Sequence, residues 1–196
     1  MRHLSACTIP CVFVVLLAGC ASTPAARYYT LSATPAPAAT ASDLSIVVGP
    51  VSVPAVVDRP QIVVTTGQNQ VQPEEFNRWA APLQDTIARV VAENLVALLG
   101  TPHVTLFPQT LSTDAGYRAA VEVQRFGSTP GEAATLDAVW TVRRLKDGKT
   151  ETGRTTVREA AQGKDYEALA AAHSRAVGRL SQDIANAVTT LDRSVR

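Results

Sequence analysis

The segment 117–161 constrains the fold most, because its apolar residues recur at every second position. Tyr117, Ala119, Val121 and Val123 fall on one side of an extended chain, with Arg118, Glu122 and Gln124 on the other. Leu136, Ala138, Trp140 and Val142 alternate in the same way against Asp137, Thr141 and Arg143. This is the pattern of half-buried antiparallel strands. Asp147-Gly148 is a strong hairpin turn, so 150–161 should return beside 133–145 and complete a meander of three strands. A sheet with one apolar face needs a cover, and two helical stripes supply it. Leu83, Ile87, Val90, Val91, Asn94, Leu95 and Leu98 follow helical spacing after Pro82, and Gly100 and Pro102 end the run. Tyr166, Leu169, His173, Val177, Leu180, Ile184, Val188 and Leu191 form a second, longer stripe behind Asp165, a good N-cap. The expected fold class is α/β in the α+β sense: a mixed, largely antiparallel sheet packed with two long amphipathic helices.

Between these landmarks the pattern is weaker. Residues 44–48 and 51–57 read as one strand broken at Gly49-Pro50 and Pro54. Asp58-Arg59-Pro60 reads as a turn, 61–65 as a strand, Gly67-Gln68-Asn69 as another turn, and 103–107 as a short strand. Residues 73–81 are expected to be helical or irregular, and 127–131 a turn. Residues 28–31 read as a short extended piece, and the Ala-, Pro- and Thr-rich 33–42 as a solvated loop. The folded body is thus expected to begin near Leu44, and no internal repeat is visible.

The amino terminus has a different character. Arg2 precedes an apolar run, 9–18, that closes on Leu17-Ala18-Gly19-Cys20. A basic start, a short apolar stretch and small residues before a cut site describe a secretory signal peptide. The tetrapeptide resembles the lipobox of bacterial lipoproteins, in which the cysteine is acylated and becomes the new amino end. The apolar run falls short of the roughly 20 residues a bilayer span needs. The expected organisation is therefore 1–19 lipoprotein signal peptide, 20–43 lipidated tether and linker, and 44–196 a single domain. Cys7 and Cys11 would leave with the signal and Cys20 would be blocked, so no intrachain disulfide is available. Without Arg2 the mature chain has 17 basic residues, one fewer than the 18 of the full chain, against 17 acidic. That neutrality gives no electrostatic footprint for nucleic acid. Ala21 and Ser22 lack the aspartate that usually retains lipoproteins at the inner membrane, which resembles outer-membrane cargo facing the periplasm.

A search for chemistry returns little. The mature chain keeps His103 and His173, neither with a partner at metal-ligand spacing, and no metal or cofactor is expected. His173 lies on an apolar stripe and reads as a packed, hydrogen-bonded histidine. There is no nucleophile elbow, phosphate loop or dinucleotide fingerprint. Glu74 and Glu75 read as a solvated pair. Trp140 reads as core, whereas Trp79 divides evenly between core and partner contact.

Several segments together resemble one family. They are Tyr28-Tyr29-Thr30-Leu31, Val48-Gly49-Pro50-Val51-Ser52-Val53-Pro54 and Asp58-Arg59-Pro60-Gln61-Ile62-Val63. Phe76-Asn77-Arg78-Trp79-Ala80-Ala81-Pro82-Leu83 and Ala92-Glu93-Asn94-Leu95 continue the series. Val123-Gln124-Arg125-Phe126, Leu136-Asp137-Ala138-Val139-Trp140 and the 166–184 helix complete it. This set is similar to the PqiC/YmbA family of outer-membrane lipoproteins, auxiliary subunits of MCE-type transport systems. The sequence departs from the family pattern at Ala81, where an acid is common, and at Thr65 or Thr66, where an arginine is common.

The resemblance implies a body like the amino-terminal domain of TolB and a non-catalytic role. It implies docking of a periplasmic MCE-domain protein to the outer membrane in lipid transport between membranes. It leaves room for a homo-oligomer. Lipidation falls to Cys20, and Asp58, Arg59, Pro60 and Trp79 are the candidate partner contacts. Two other readings stay open from sequence: an envelope hydrolase with a site assembled in space, and a body that binds lipid directly.

Overall fold

The computed structural model describes residues 24–34, 40–108 and 115–193. Along the chain run β1 (Arg27–Tyr29), β2 (Ile46–Ser52), β3 (Gln61–Gly67), β4 (Gln70–Trp79) and helix α1 (Leu83–Leu99). Then come β5 (Val104–Leu106), β6 (Tyr117–Thr129), β7 (Ala133–Arg144), β8 (Thr150–Ala160) and helix α2 (Tyr166–Arg193). The eight strands form one mixed sheet. β6, β7 and β8 are the expected antiparallel meander, and β3 and β4 form a second antiparallel hairpin. β2 lies parallel between β5 and β6, and β1 lies parallel to the end of β4. The mixed α+β class read from the pattern is the class observed. Cys20 and the expected signal peptide lie outside the described residues.

Helix α2 crosses β7 and β8, α1 packs on β2 and β5, and the two helices pack on each other. Their stripes are buried as the spacing requires: Ile87, Val90, Val91 and Leu95 on α1, and Val177, Leu180, Ile184 and Val188 on α2, are fully enclosed. Each such side chain contributes about 1.5–3 kcal/mol. Gly100 ends α1 in the left-handed region at φ 63°, where glycine carries no Cβ penalty. Asp165 caps α2, its Oδ1 accepting from the Ala168 N–H at 2.7 Å.

Three expectations are corrected. First, residues 73–81 are not helical: β4 extends through Pro73 to Trp79, because pairing with β3 outweighs the local preferences of Pro73, Glu74 and Glu75. Second, the body begins at Arg27, not near Leu44. β1 pairs with β4, and Leu31 sits in the core at 1% exposure. Third, the broken strand expected over 44–57 is shorter: it keeps the irregularity at Gly49-Pro50, a register shift between Val48 and Val51, but does not reach Val57. β2 stops at Ser52, and beyond Pro54 the chain turns, with the Val57 N–H bonded to the Pro54 carbonyl at 3.0 Å.

The long strand β6 is not regular throughout, for it carries a bulge between Val123 and Arg125. Before it Tyr117, Ala119, Val121 and Val123 point into the core; after it Phe126 and Ser128 do. The extra residue shifts the alternation by one. The strand then continues to Thr129 through part of the segment expected to turn.

Candidate docking groove

The candidate contact residues, distant in sequence, converge on one groove. The Asp58 and Val57 N–H groups both bond to the Pro54 carbonyl, closing the turn that presents Asp58, Arg59 and Pro60 to solvent. The Pro60 carbonyl accepts from the Trp79 N–H at 2.7 Å, and the Tyr29 carbonyl accepts from the Ala80 N–H at 2.8 Å. Two backbone bonds thus bring the Tyr28-Tyr29, Asp58-Arg59-Pro60 and Trp79–Leu83 segments together. Between them lies a groove of about 420 Å³ lined by Tyr28, Asp58, Arg59, Pro60 and 78–83. Tyr28 stands at its rim with 63% of its surface exposed.

Trp79 lines this groove but is 5% exposed, so the even division between core and contact resolves towards core. Its ring meets Phe126 edge-on at 6.0 Å and His173 edge-on at 5.9 Å. Phe126 stacks on His173 at 3.9 Å between centroids. Asp58, Arg59 and Pro60 are exposed. Arg78 is half-buried, and its Nε donates to the Glu75 carbonyl at 2.9 Å. Among the described residues neither Arg59 nor Arg78 forms an ion pair. The groove therefore offers two guanidinium groups against the Asp58 carboxylate, beside an exposed aromatic ring.

Glu74 faces the start of α2, not of α1. It lies on β4 near Tyr166, whose hydroxyl is pushed up to about 12 by burial first and then by this carboxylate.

The structure also makes a pairing that the sequence did not announce. Ser128 Oγ and His173 Nε2 lie 2.8 Å apart. A serine beside a histidine is the start of a nucleophile–base pair. Here, however, Ser128 is 2% exposed and His173 is 0%. Nδ1 of His173 has no partner among the described residues, so no carboxylate orients the ring. Burial holds the imidazole neutral, with its pKa lowered to about 3. The arrangement is that of a core hydrogen bond, as the apolar stripe suggested for His173. Among the described residues no group of three or more acids, histidines or cysteines could hold a metal, and no helix is long and apolar enough to cross a membrane.

The comparisons with known proteins meet this geometry directly. The family model for ABC-type transport auxiliary lipoprotein components matches residues 29–185. The chain belongs to that family. The match begins at Tyr29, the last residue of β1, and takes in the groove apart from Tyr28, all of α1 and α2 as far as Ala185. A crystal structure from Xanthomonas campestris, of the DUF330 family, superposes with a TM-score of 0.67 at 20% identity, covering 87% of this chain and 100% of that one. The crystal structure of an uncharacterized protein superposes with a TM-score of 0.69, also at 20% identity, covering 84% of this chain and 99% of that one. These likenesses confirm the fold. Curated proteins give no match. A transport auxiliary lipoprotein component works with other subunits of a transport system, which gives an exposed groove of this kind its functional interest.

Proposed function

We propose that this lipoprotein is a non-catalytic docking subunit of an MCE-type, Pqi-like intermembrane lipid transport system. In this reading acylated Cys20 anchors it in the outer membrane, facing the periplasm. The folded body receives a periplasmic MCE-domain protein, and the assembly supports membrane integrity. The observation that carries the reading is the groove, where three segments of the family resemblance meet and two guanidinium groups form no ion pair among the described residues. Exposed arginine and tyrosine are the residue types that concentrate interface energy. The closed Ser128–His173 pair supports a non-catalytic role, because a hydrolase needs its nucleophile in contact with substrate. A homo-oligomer is compatible with the same role.

The test is crosslinking and affinity capture of the full-length lipidated protein from its own membranes, read by mass spectrometry. Wild type should recover an MCE-domain protein, and Arg59→Glu should lose it while keeping fold and anchor. Arg59 is the better probe. Trp79→Ala would remove a buried ring at a cost of about 3–5 kcal/mol and confound folding with binding. Folded, anchored wild-type bait that recovers no MCE-domain protein overturns the reading.

A further inference from the structure

The parallel pairing of β1 with β4 fixes the direction from which the chain enters the folded body. Arg27, Tyr28 and Tyr29 lie opposite Asn77, Arg78 and Trp79 in that order. Moving back from Arg27 therefore leads away from the docking groove, alongside β4, towards the turn that joins Gly67 to Gln70. The lengths match. From Gln70 to Asn77, which lies opposite Arg27, β4 rises about 23 Å. Seven residues, Cys20 to Ala26, precede β1 and reach at most about 25 Å. That length is enough for Cys20 to reach the level of the β3–β4 turn.

That end of the molecule has its own surface. A cavity of about 230 Å³ lies between the 54–57 turn and the β3–β4 hairpin, and both Val56 and Val71 line it. Val56 is 49% exposed and Val71 50%, among the most exposed large apolar residues described. Residues 65–72 carry no charge. Of all the residues around this cavity only Arg125 is charged, and it is a cation. An uncharged, amide-rich tip with a bare valine and no carboxylate carries little desolvation cost against phospholipid headgroups. A surface this small would not hold a free protein on a bilayer. A lipid tether removes that demand, because it makes contact intramolecular and lets weak burial suffice.

We propose that the β3–β4 hairpin tip, with Val71, rests on the phospholipid surface in which the chain is anchored, so that the docking groove at the other end of β4 points away from the bilayer. The inference rests on lipidation of Cys20. It accounts for both ends of one strand: the tip meets lipid, and the Trp79 end meets a protein arriving across the aqueous space.

The test uses full-length lipidated protein in vesicles of phosphatidylethanolamine and phosphatidylglycerol. Some of the lipids carry a spin label at the headgroup or near the glycerol. An environment-sensitive fluorophore is attached in turn to Val71→Cys and, as the opposite end, to Ala81→Cys, both exposed positions. The Val71→Cys probe should shift to the blue and be quenched several-fold more strongly than the Ala81→Cys probe. Equal quenching, or stronger quenching at position 81, overturns the orientation. A blue shift at position 71 without quenching marks contact with a second copy of the chain and also overturns it. Mass analysis of the same preparation separates the two layers. An acylated Cys20 with an unquenched tip refutes this inference alone. An unmodified Cys20 refutes the anchoring beneath it.

Discussion

His173 shows how one residue couples the core to pH. Its ring is fully enclosed between Phe126 and Trp79, and burial lowers its pKa from the ordinary 6.5 to about 3. The unfolded chain therefore takes up a proton below pH 6.5 that the native chain refuses. Stability is complete above about pH 6.5 and falls by about 1.4 kcal/mol per unit as the pH drops towards 3. Urea unfolding near pH 7.5 and pH 5 reads this term before most carboxylates titrate. His173→Gln should lose about 2 kcal/mol less than wild type between the two conditions. An equal loss in both would mean that the ring titrates freely in the folded protein. The sequence shows His173 as a core residue through its place in the α2 stripe. Its partner Ser128 is hidden, because strict alternation along β6 does not foresee the bulge that turns Phe126 and Ser128 inward. A bulge arises from cross-strand register, which a single strand's sequence does not contain.

At the scale of elements, the segment before β2 is held by side chains from both helices. The Asn94 amide joins them: Oδ1 accepts from the Thr34 N–H at 2.8 Å and Nδ2 donates to Ser181 Oγ at 3.1 Å. The Ser32 N–H bonds to Ser174 Oγ at 3.1 Å, and an Arg89 guanidinium nitrogen donates to the Leu31 carbonyl at 2.8 Å. Asn94→Ala should cost about 1–3 kcal/mol, since it leaves buried polar groups unpaired. It should also speed proteolytic cleavage just after Thr34; unchanged cleavage would show that the other bonds hold the segment alone. A second contact links β7 to β8. Trp140 lies over Gly153, where an added Cβ would stand 2.2 Å from Cζ2 of the indole, and its Nε1 donates to Thr155 Oγ1 at 3.0 Å. Gly153→Ala should destabilise by about 1–3 kcal/mol through overpacking. A double-mutant cycle with Trp140→Leu should recover most of that loss, and simple additivity of the two changes would refute the steric account. Both helices and the meander were legible because each carries its own period over many residues. Asn94 as a clamp was not, because its partners Thr34 and Ser181 come from two distant parts of the chain.

For the whole molecule, the question is where the body starts. The Ala-, Pro- and Thr-rich stretch after Leu31 suggests a linker, and local composition alone favours a boundary near Leu44. The Tyr28-Tyr29-Thr30-Leu31 segment was visible in the sequence, and so was its membership of the family pattern. Its place was not, because pairing β1 with β4 spans about fifty residues and leaves no periodic trace in a strand of three. The same long-range pairing builds the groove. The boundary is measurable. A chain beginning at Pro24 retains β1 and Leu31; a chain beginning at Leu44 removes a fully buried leucine worth about 2–3 kcal/mol. The shorter chain should melt lower by about 4–12 °C, and its groove should lose the Tyr28 rim and the bond from Ala80 to Tyr29. Equal melting temperatures would mean that β1 lies outside the cooperative unit. The proposed contact of the hairpin tip with the bilayer would then lose its structural basis, since it depends on β1 being fixed beside β4.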